Sequence, residues 1–78
     1  MACVNPDGTI SAVAGKVLLA ADQGADERAM AEAAGVPVYR VRASLRELVQ
    51  AGLLTQADGA WAVTDAGRAA AAQAAGAG

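Results

Sequence analysis

The fold is decided by the stretch Ala33–Leu54, which reads AAGVPVYRVRASLRELVQAGLL. Gly35 closes a short helix, and Pro37 suits the start of the next helix because an amide hydrogen has no intrahelical partner at that position. Apolar residues then recur at spacings of three and four up to Gly52, which predicts a longer helix with a single buried face. The predicted buried positions are Val38, Val41, Leu45, Leu48 and Val49.

Turn and cap signals on both sides of this stretch predict three more helices and one hairpin. The predicted segments are a helix over residues 12–22 behind the N-cap Ser11, a short helix that Asp26-Glu27 opens, a hairpin over residues 53–64 that turns at Asp58-Gly59, and a helix from Asp65 to about Ala75 behind the N-cap Thr64. We expect Trp61 and Val63 to share one face of the hairpin and to plug the core. We divide the chain into a turn and extended segment over residues 1–10, one domain over residues 11–75 and a disordered tail over residues 76–78.

The composition argues against catalysis and against a bound metal or cofactor. The chain has 78 residues, which is the size of one domain. It contains no His, the usual general base and commonest metal ligand, and its single Cys3 allows neither an internal disulfide nor a multi-thiolate site. No nucleophile–base pair is visible. We therefore expect a non-enzymatic protein without cofactors or metals, in which Cys3 is an ordinary thiol.

The charge distribution indicates an acidic protein with one basic stripe. The net charge is −2. Residues 36–52 nevertheless hold three arginines, Arg40, Arg42 and Arg46, against the single Glu47. Half of all the basic residues thus lie within seven positions of one another. This clustering marks the helix after Pro37 as the candidate contact surface for an anionic partner.

The ordered set of motifs resembles the winged helix-turn-helix domains of bacterial transcription regulators of the MarR and ArsR type. The stretch Ala33–Leu54 continues as DGAWAVTDAGR over Asp58–Arg68. In such domains a small residue and a Gly close the second helix, and Leu-x-x-Leu lines the third. A Gly-Leu-Leu enters the hairpin, called the wing, and Thr-x-x-Gly-Arg starts the following helix. The resemblance implies a mainly α single domain with a small β-hairpin wing.

By this resemblance the third helix is a recognition helix that lies in the major groove of double-stranded DNA, while the wing flanks the backbone. The chain would then be a probable transcriptional regulator. The residues that this implies for DNA contact are Tyr39, Arg40, Arg42, Ser44 and Arg46. The alternative is a winged-helix protein–protein interaction module that does not bind DNA, which the low pI and the acid at the wing tip, Asp58, favour.

Three further expectations concern a partner chain, the cellular location and the contacts of Arg68. The fourth helix is rich in Ala and apolar on almost every side, so we expect a homodimer through it. The longest apolar run, Val17 to Ala21, is far shorter than the ~20 residues that span a bilayer, and no targeting segment is visible, so we expect a cytoplasmic protein without membrane contact. Arg68 is expected to pair with Asp65, three residues earlier, or to contact a phosphate.

Overall fold

The computed structural model describes Val4, Asn5 and residues 7–77, with side chains up to Ala74. Its elements are α1 (Ala12–Asp22), α2 (Glu27–Ala34), α3 (Val38–Gln50), β1 (Leu54–Ala57), β2 (Ala60–Val63) and α4 (Asp65–Ala77). This order confirms the predicted fold class, a mainly helical single domain with a small β-hairpin, and it is compatible with a winged helix-turn-helix. The last helix ends two residues beyond its predicted end. No helix within the described ranges has the length and apolar character needed to cross a membrane.

The first two helices begin at side-chain caps that satisfy free backbone amides. The Ser11 hydroxyl accepts from the amide of Ala14 at 3.1 Å, as predicted, and the Asp26 carboxylate accepts from the amide of Ala29 at 2.9 Å. Helix α2 ends at Gly35, whose φ of 70° lies in the left-handed region that glycine adopts without strain. The tight turn between α2 and α3 is therefore set by local chemistry.

The core lies where α1 meets the other helices and the hairpin. Helix α1 packs against α2, α4 and β2, and α3 packs against α1, α2 and β1. The predicted buried face of α3 is confirmed at Val41, Leu45 and Leu48, whereas Val38 is half-buried. The prediction for Val49 is wrong, because its side chain is 42% exposed at the edge of that face. The largest fully buried side chains are Leu18, Met30, Leu48, Leu54, Val17, Val41 and Ser44.

The hairpin has the predicted turn and brings a Trp beside α3. Asp58 and Gly59 both have positive φ, 52° and 77°, as a two-residue hairpin turn requires. The antiparallel register pairs Leu54 with Val63 and places Gln56 opposite Trp61. Val63 is buried, and Trp61 packs against the core while remaining half-buried. The predicted plug is thus present, but part of the indole reaches the surface.

Thr64 joins three elements at the base of the hairpin. Its amide donates to the carbonyl oxygen of Leu53 at 3.2 Å, and its hydroxyl donates to the carbonyl oxygen of Gly52 at 2.8 Å. The same hydroxyl accepts from the amide of Gly67 at 3.0 Å and so caps α4. A Cβ at Gly67 would clash with the carbonyl oxygen of Leu53, so α4 comes this close only because residue 67 is a glycine. We call these contacts the Thr64 clamp.

The N-terminal segment folds back on itself before α1 begins. Val4 and Ile10 form an isolated antiparallel bridge, and Ile10 enters the core. The hydroxyl and then the amide of Thr9 donate to the Asp7 carboxylate at 2.6 and 3.0 Å. These hydrogen bonds favour the charged form and lower the pKa of Asp7 below its usual value.

Replacing Thr64 with Val tests the clamp. The shape of the side chain is kept, but the Gly52 carbonyl and the Gly67 amide lose their partner. We expect the free energy of unfolding to fall by about 1–2 kcal/mol. Urea denaturation followed by far-UV circular dichroism measures this change. Thr64→Ser retains the hydroxyl and is expected to lose clearly less, so an equal loss in both variants would contradict the role of the hydroxyl.

Candidate nucleic-acid interface

Helix α3 turns an exposed face away from the core. With about 3.6 residues per turn, the positions opposite its buried face are Tyr39, Ala43, Arg46 and Gln50, and all four are exposed. The side chain of Tyr39 is 70% exposed. The face therefore offers an aromatic ring, a guanidinium and an amide to a partner.

The three arginines of α3 occupy different sides of this face. Arg46 lies near its centre, while Arg40 lies about 120° around the helix from it. Neither Arg40 nor Arg46 forms an ion pair with any other residue that the structure describes. The guanidiniums of these two residues are therefore exposed and open to an anionic partner.

Arg42 has an ion-pair partner on another helix. Its Nε donates to Oε1 of Glu27 at 3.0 Å, and the two side chains are 63% and 37% exposed. Sequence reasoning missed this pair because Glu27 lies fifteen positions earlier, beyond any spacing that a single helix brings together. Only the packing of α2 against α3 brings the two groups within hydrogen-bonding distance.

Ser44 is not on the exposed face, so its predicted DNA contact is corrected. Its side chain is 0% exposed, at the same depth as Val41 and Leu48 on the core side of α3. A Ser is small and polar enough to suggest a surface position in the sequence, yet its place on the helix turns it inward. We leave Ser44 out of the candidate interface.

A groove of about 580 Å³ separates α3 from the hairpin. Leu45 and Trp61 contribute apolar surface to it, and the exposed side chain of Val49 adds to that surface. Arg42 and Arg46 line the α3 side, and Gln56 lines the side of the hairpin. The hairpin thus flanks the exposed face of α3, as a wing does in the fold that the sequence resembles.

The acidic side of the molecule begins next to this groove. A second cleft of about 660 Å³, lined again by Glu27, Gln56 and Trp61, runs between the hairpin and the start of α2. Asp26 also lines it, and Asp58 is exposed at the hairpin tip. The exposed Arg28 lines the same cleft, so the carboxylates at the tip and beside α2 weaken the attraction for phosphates on this side without removing it.

Arg68 lies between two carboxylates. Its Nη2 is 3.2 Å from Oδ1 of Asp22 and its Nη1 is 3.5 Å from Oδ1 of Asp65. The predicted pair with Asp65 is confirmed, and Asp22 on α1 is an additional partner. The hydrogen bond and the negative charge of Asp22 raise the pKa of Arg68 above its ordinary value. Arg68 therefore ties α4 to α1 instead of joining the arginines of α3.

Two other expectations from the sequence concern metal binding and Cys3. Among the residues that the structure describes, no group of three or more His, Cys, Asp or Glu side chains is placed to hold a metal ion. The expectation for Cys3 falls on a residue outside the described part of the chain.

Comparisons of the chain with protein-family models, with curated protein sequences and with solved structures give no significant match.

Substitution of neighbouring residues tests the assignment of Ser44 to the core. We expect Ser44→Gln to lower the free energy of unfolding by roughly 1–3 kcal/mol, because a larger polar side chain is forced into a packed interior. Ala43→Gln, one residue earlier on the exposed face, is expected to stay within about 0.5 kcal/mol of the unsubstituted chain. Urea denaturation of the two variants provides the comparison, and equal stabilities would place Ser44 at the surface after all.

Proposed function

We propose that this chain is a small DNA-binding protein of the winged helix-turn-helix type, a transcriptional regulator similar to the MarR and ArsR proteins. The observation that supports this most is the outward face of α3, where Arg40 and Arg46 are exposed without ion-pair partners among the described residues. Tyr39 stands beside them with its ring exposed, and the hairpin flanks the same face. A non-enzymatic role is part of the proposal.

The dimensions of α3 suit the major groove. Its 13 residues give a rod about 20 Å long, and the groove of B-DNA is about 12 Å wide. An exposed guanidinium can donate two hydrogen bonds to a guanine edge or to a phosphate. Arg46 at the centre of the face would approach the base edges of a specific site and a phosphate of any other duplex, whereas Arg40 at its side would approach the backbone.

The charges of the molecule predict weak and salt-sensitive binding. The net charge is −2, Arg42 is partly neutralised by Glu27, and the hairpin tip carries Asp58 in place of a cation. Each phosphate contact releases counterions and contributes about 0.9 to the slope of log affinity against log salt. A surface with two or three such contacts binds with a modest affinity that falls as the salt concentration rises.

Arg46→Gln tests the proposed face. At about 50 mM salt we expect it to weaken binding to a labelled mixed-sequence duplex about fivefold, because a charge pair in water contributes about 1 kcal/mol at contact. The salt slope should fall by about 0.9. Fluorescence anisotropy at about 50 and about 200 mM salt measures both quantities.

Lys16→Gln is the matched control for this experiment. Lys16 is exposed on α1, so the substitution removes one positive charge without touching α3. We expect it to change the affinity clearly less than Arg46→Gln does. Equal losses would show that only the overall charge matters, and absence of binding by the unsubstituted protein at low salt would refute the DNA-binding proposal.

A protein-binding role is the second candidate, and the apolar part of the groove favours it. Val49 is 42% exposed, and the half-buried Trp61 faces it across the groove beside acidic neighbours. Apolar side chains of a partner could pack there while Arg46 binds a carboxylate. A photo-crosslinking residue at Val49 would then give a discrete protein adduct in cells, whereas the same residue at Lys16 would give none.

Homodimerisation through α4 and a cytoplasmic location stay predictions. One face of α4 is used within the chain, since Ala70 and Ala71 are buried, while Ala69 and Ala72 are exposed. Homodimerisation through that exposed side is tested by the molecular mass in solution. A cytoplasmic location is part of the proposed role as a regulator.

A further inference from the structure

We propose that Glu27 limits the affinity of this protein for DNA by holding Arg42 in an ion pair, and so reduces binding to duplex of any sequence. This inference rests on the proposed DNA-binding function. It adds a residue from α2 to the determinants of binding, although all the residues that the sequence predicted for DNA contact lie on α3.

The position of Glu27 is fixed by the start of α2. Glu27 is the first residue of that helix, and Asp26 caps the same turn through its hydrogen bond to the amide of Ala29. Arg42 lies on α3, so the 3.0 Å contact joins two successive helices of the candidate DNA-binding surface. The carboxylate is therefore held beside Arg42 by the packing of the two helices.

The geometry of the pair leaves Arg42 able to reach a phosphate. Glu27 accepts from Nε, so the contact does not use the two terminal nitrogens of the guanidinium. The Arg42 side chain is 63% exposed and lines the groove between α3 and the hairpin together with Arg46. A phosphate that binds the terminal nitrogens would therefore also lie close to the Glu27 carboxylate.

The charge of Glu27 then opposes that phosphate contact. Coulomb energy falls inversely with distance, so a carboxylate at roughly twice the distance of the guanidinium cancels about half of its attraction for the phosphate. The loss applies to every duplex, because phosphates carry no sequence information. Glu27 thus lowers the affinity for specific and non-specific duplexes alike.

Glu27→Gln tests the inference because it removes the negative charge of the side chain and keeps its shape. We expect this variant to bind a mixed-sequence duplex about two- to threefold more tightly than the unsubstituted protein at about 50 mM salt. We also expect the salt slope to steepen by roughly 0.5, about half of one full phosphate contact. Fluorescence anisotropy over a salt series measures both, and circular dichroism checks that the variants fold.

Two further variants separate the ion pair from overall charge. Glu32→Gln removes one negative charge from the exposed side of the same helix, away from Arg42, and we expect less than half of the effect of Glu27→Gln. In the Arg42→Gln background, Glu27→Gln should have no effect beyond that of Glu32→Gln. A duplex affinity that Glu27→Gln leaves unchanged or weakens would overturn the inference, as would an equal effect of Glu32→Gln.

The same titrations distinguish this inference from the proposed function. If the unsubstituted protein binds duplex and Glu27→Gln binds no better, the function stands and the role of Glu27 is refuted. If neither protein binds at low salt, both proposals are refuted. Binding by Glu27→Gln alone would support the inference and show that the carboxylate suppresses an otherwise competent surface.

Discussion

The Thr64 clamp is the constraint on which the position of the hairpin depends. A two-stranded hairpin is marginal in water by itself, so it needs to be fastened to the helical body. One threonine does this through its amide and hydroxyl, which bind the carbonyls of Leu53 and Gly52 and cap α4 through Gly67. The glycine at position 67 lets α4 approach the same carbonyl. The groove beside α3 exists because both ends of the hairpin are held at this point.

The surface around α3 combines arginines with nearby carboxylates. Helix α3 carries three arginines on a protein that is acidic overall. Glu27 on α2 forms an ion pair with one of them, Arg42. Arg68, the remaining basic residue of the C-terminal half, is held by Asp22 and Asp65 and takes no part in the exposed basic face. Helix α3 therefore carries three of the six basic residues of the chain. This concentration suits a partner that lies along α3 better than one that covers a wide area.

The sequence predicted the elements well because their signals are local. Ser11, Gly35 and the pair Asp58-Gly59 act within a few residues, through capping and positive φ, and the structure has the helix starts, helix ends and turn that they indicate. Side-chain environment at the edges of helices was less predictable. Val49 and Ser44 both lie on α3, and the apolar one is exposed while the polar one is buried, because their angular position outweighs their polarity.

Contacts between elements distant in the chain were the least predictable part of the site. Glu27, which pairs with Arg42, lies 15 positions away, and Asp22, which pairs with Arg68, lies 46 positions away. No periodicity or spacing rule relates residues at such separations, since the packing of whole helices brings them together. The sequence could therefore name the arginines of α3 but could not show which of them is partly neutralised.

The half-buried indole of Trp61 has a practical consequence. It is the only tryptophan in the chain, and it lines both clefts beside the hairpin. Indole emission shifts to shorter wavelength when water is excluded from the ring. The natural protein thus carries its own optical reporter at the place where α3 and the hairpin would meet a nucleic acid or a protein, and occupancy of the groove can be followed without attaching a dye.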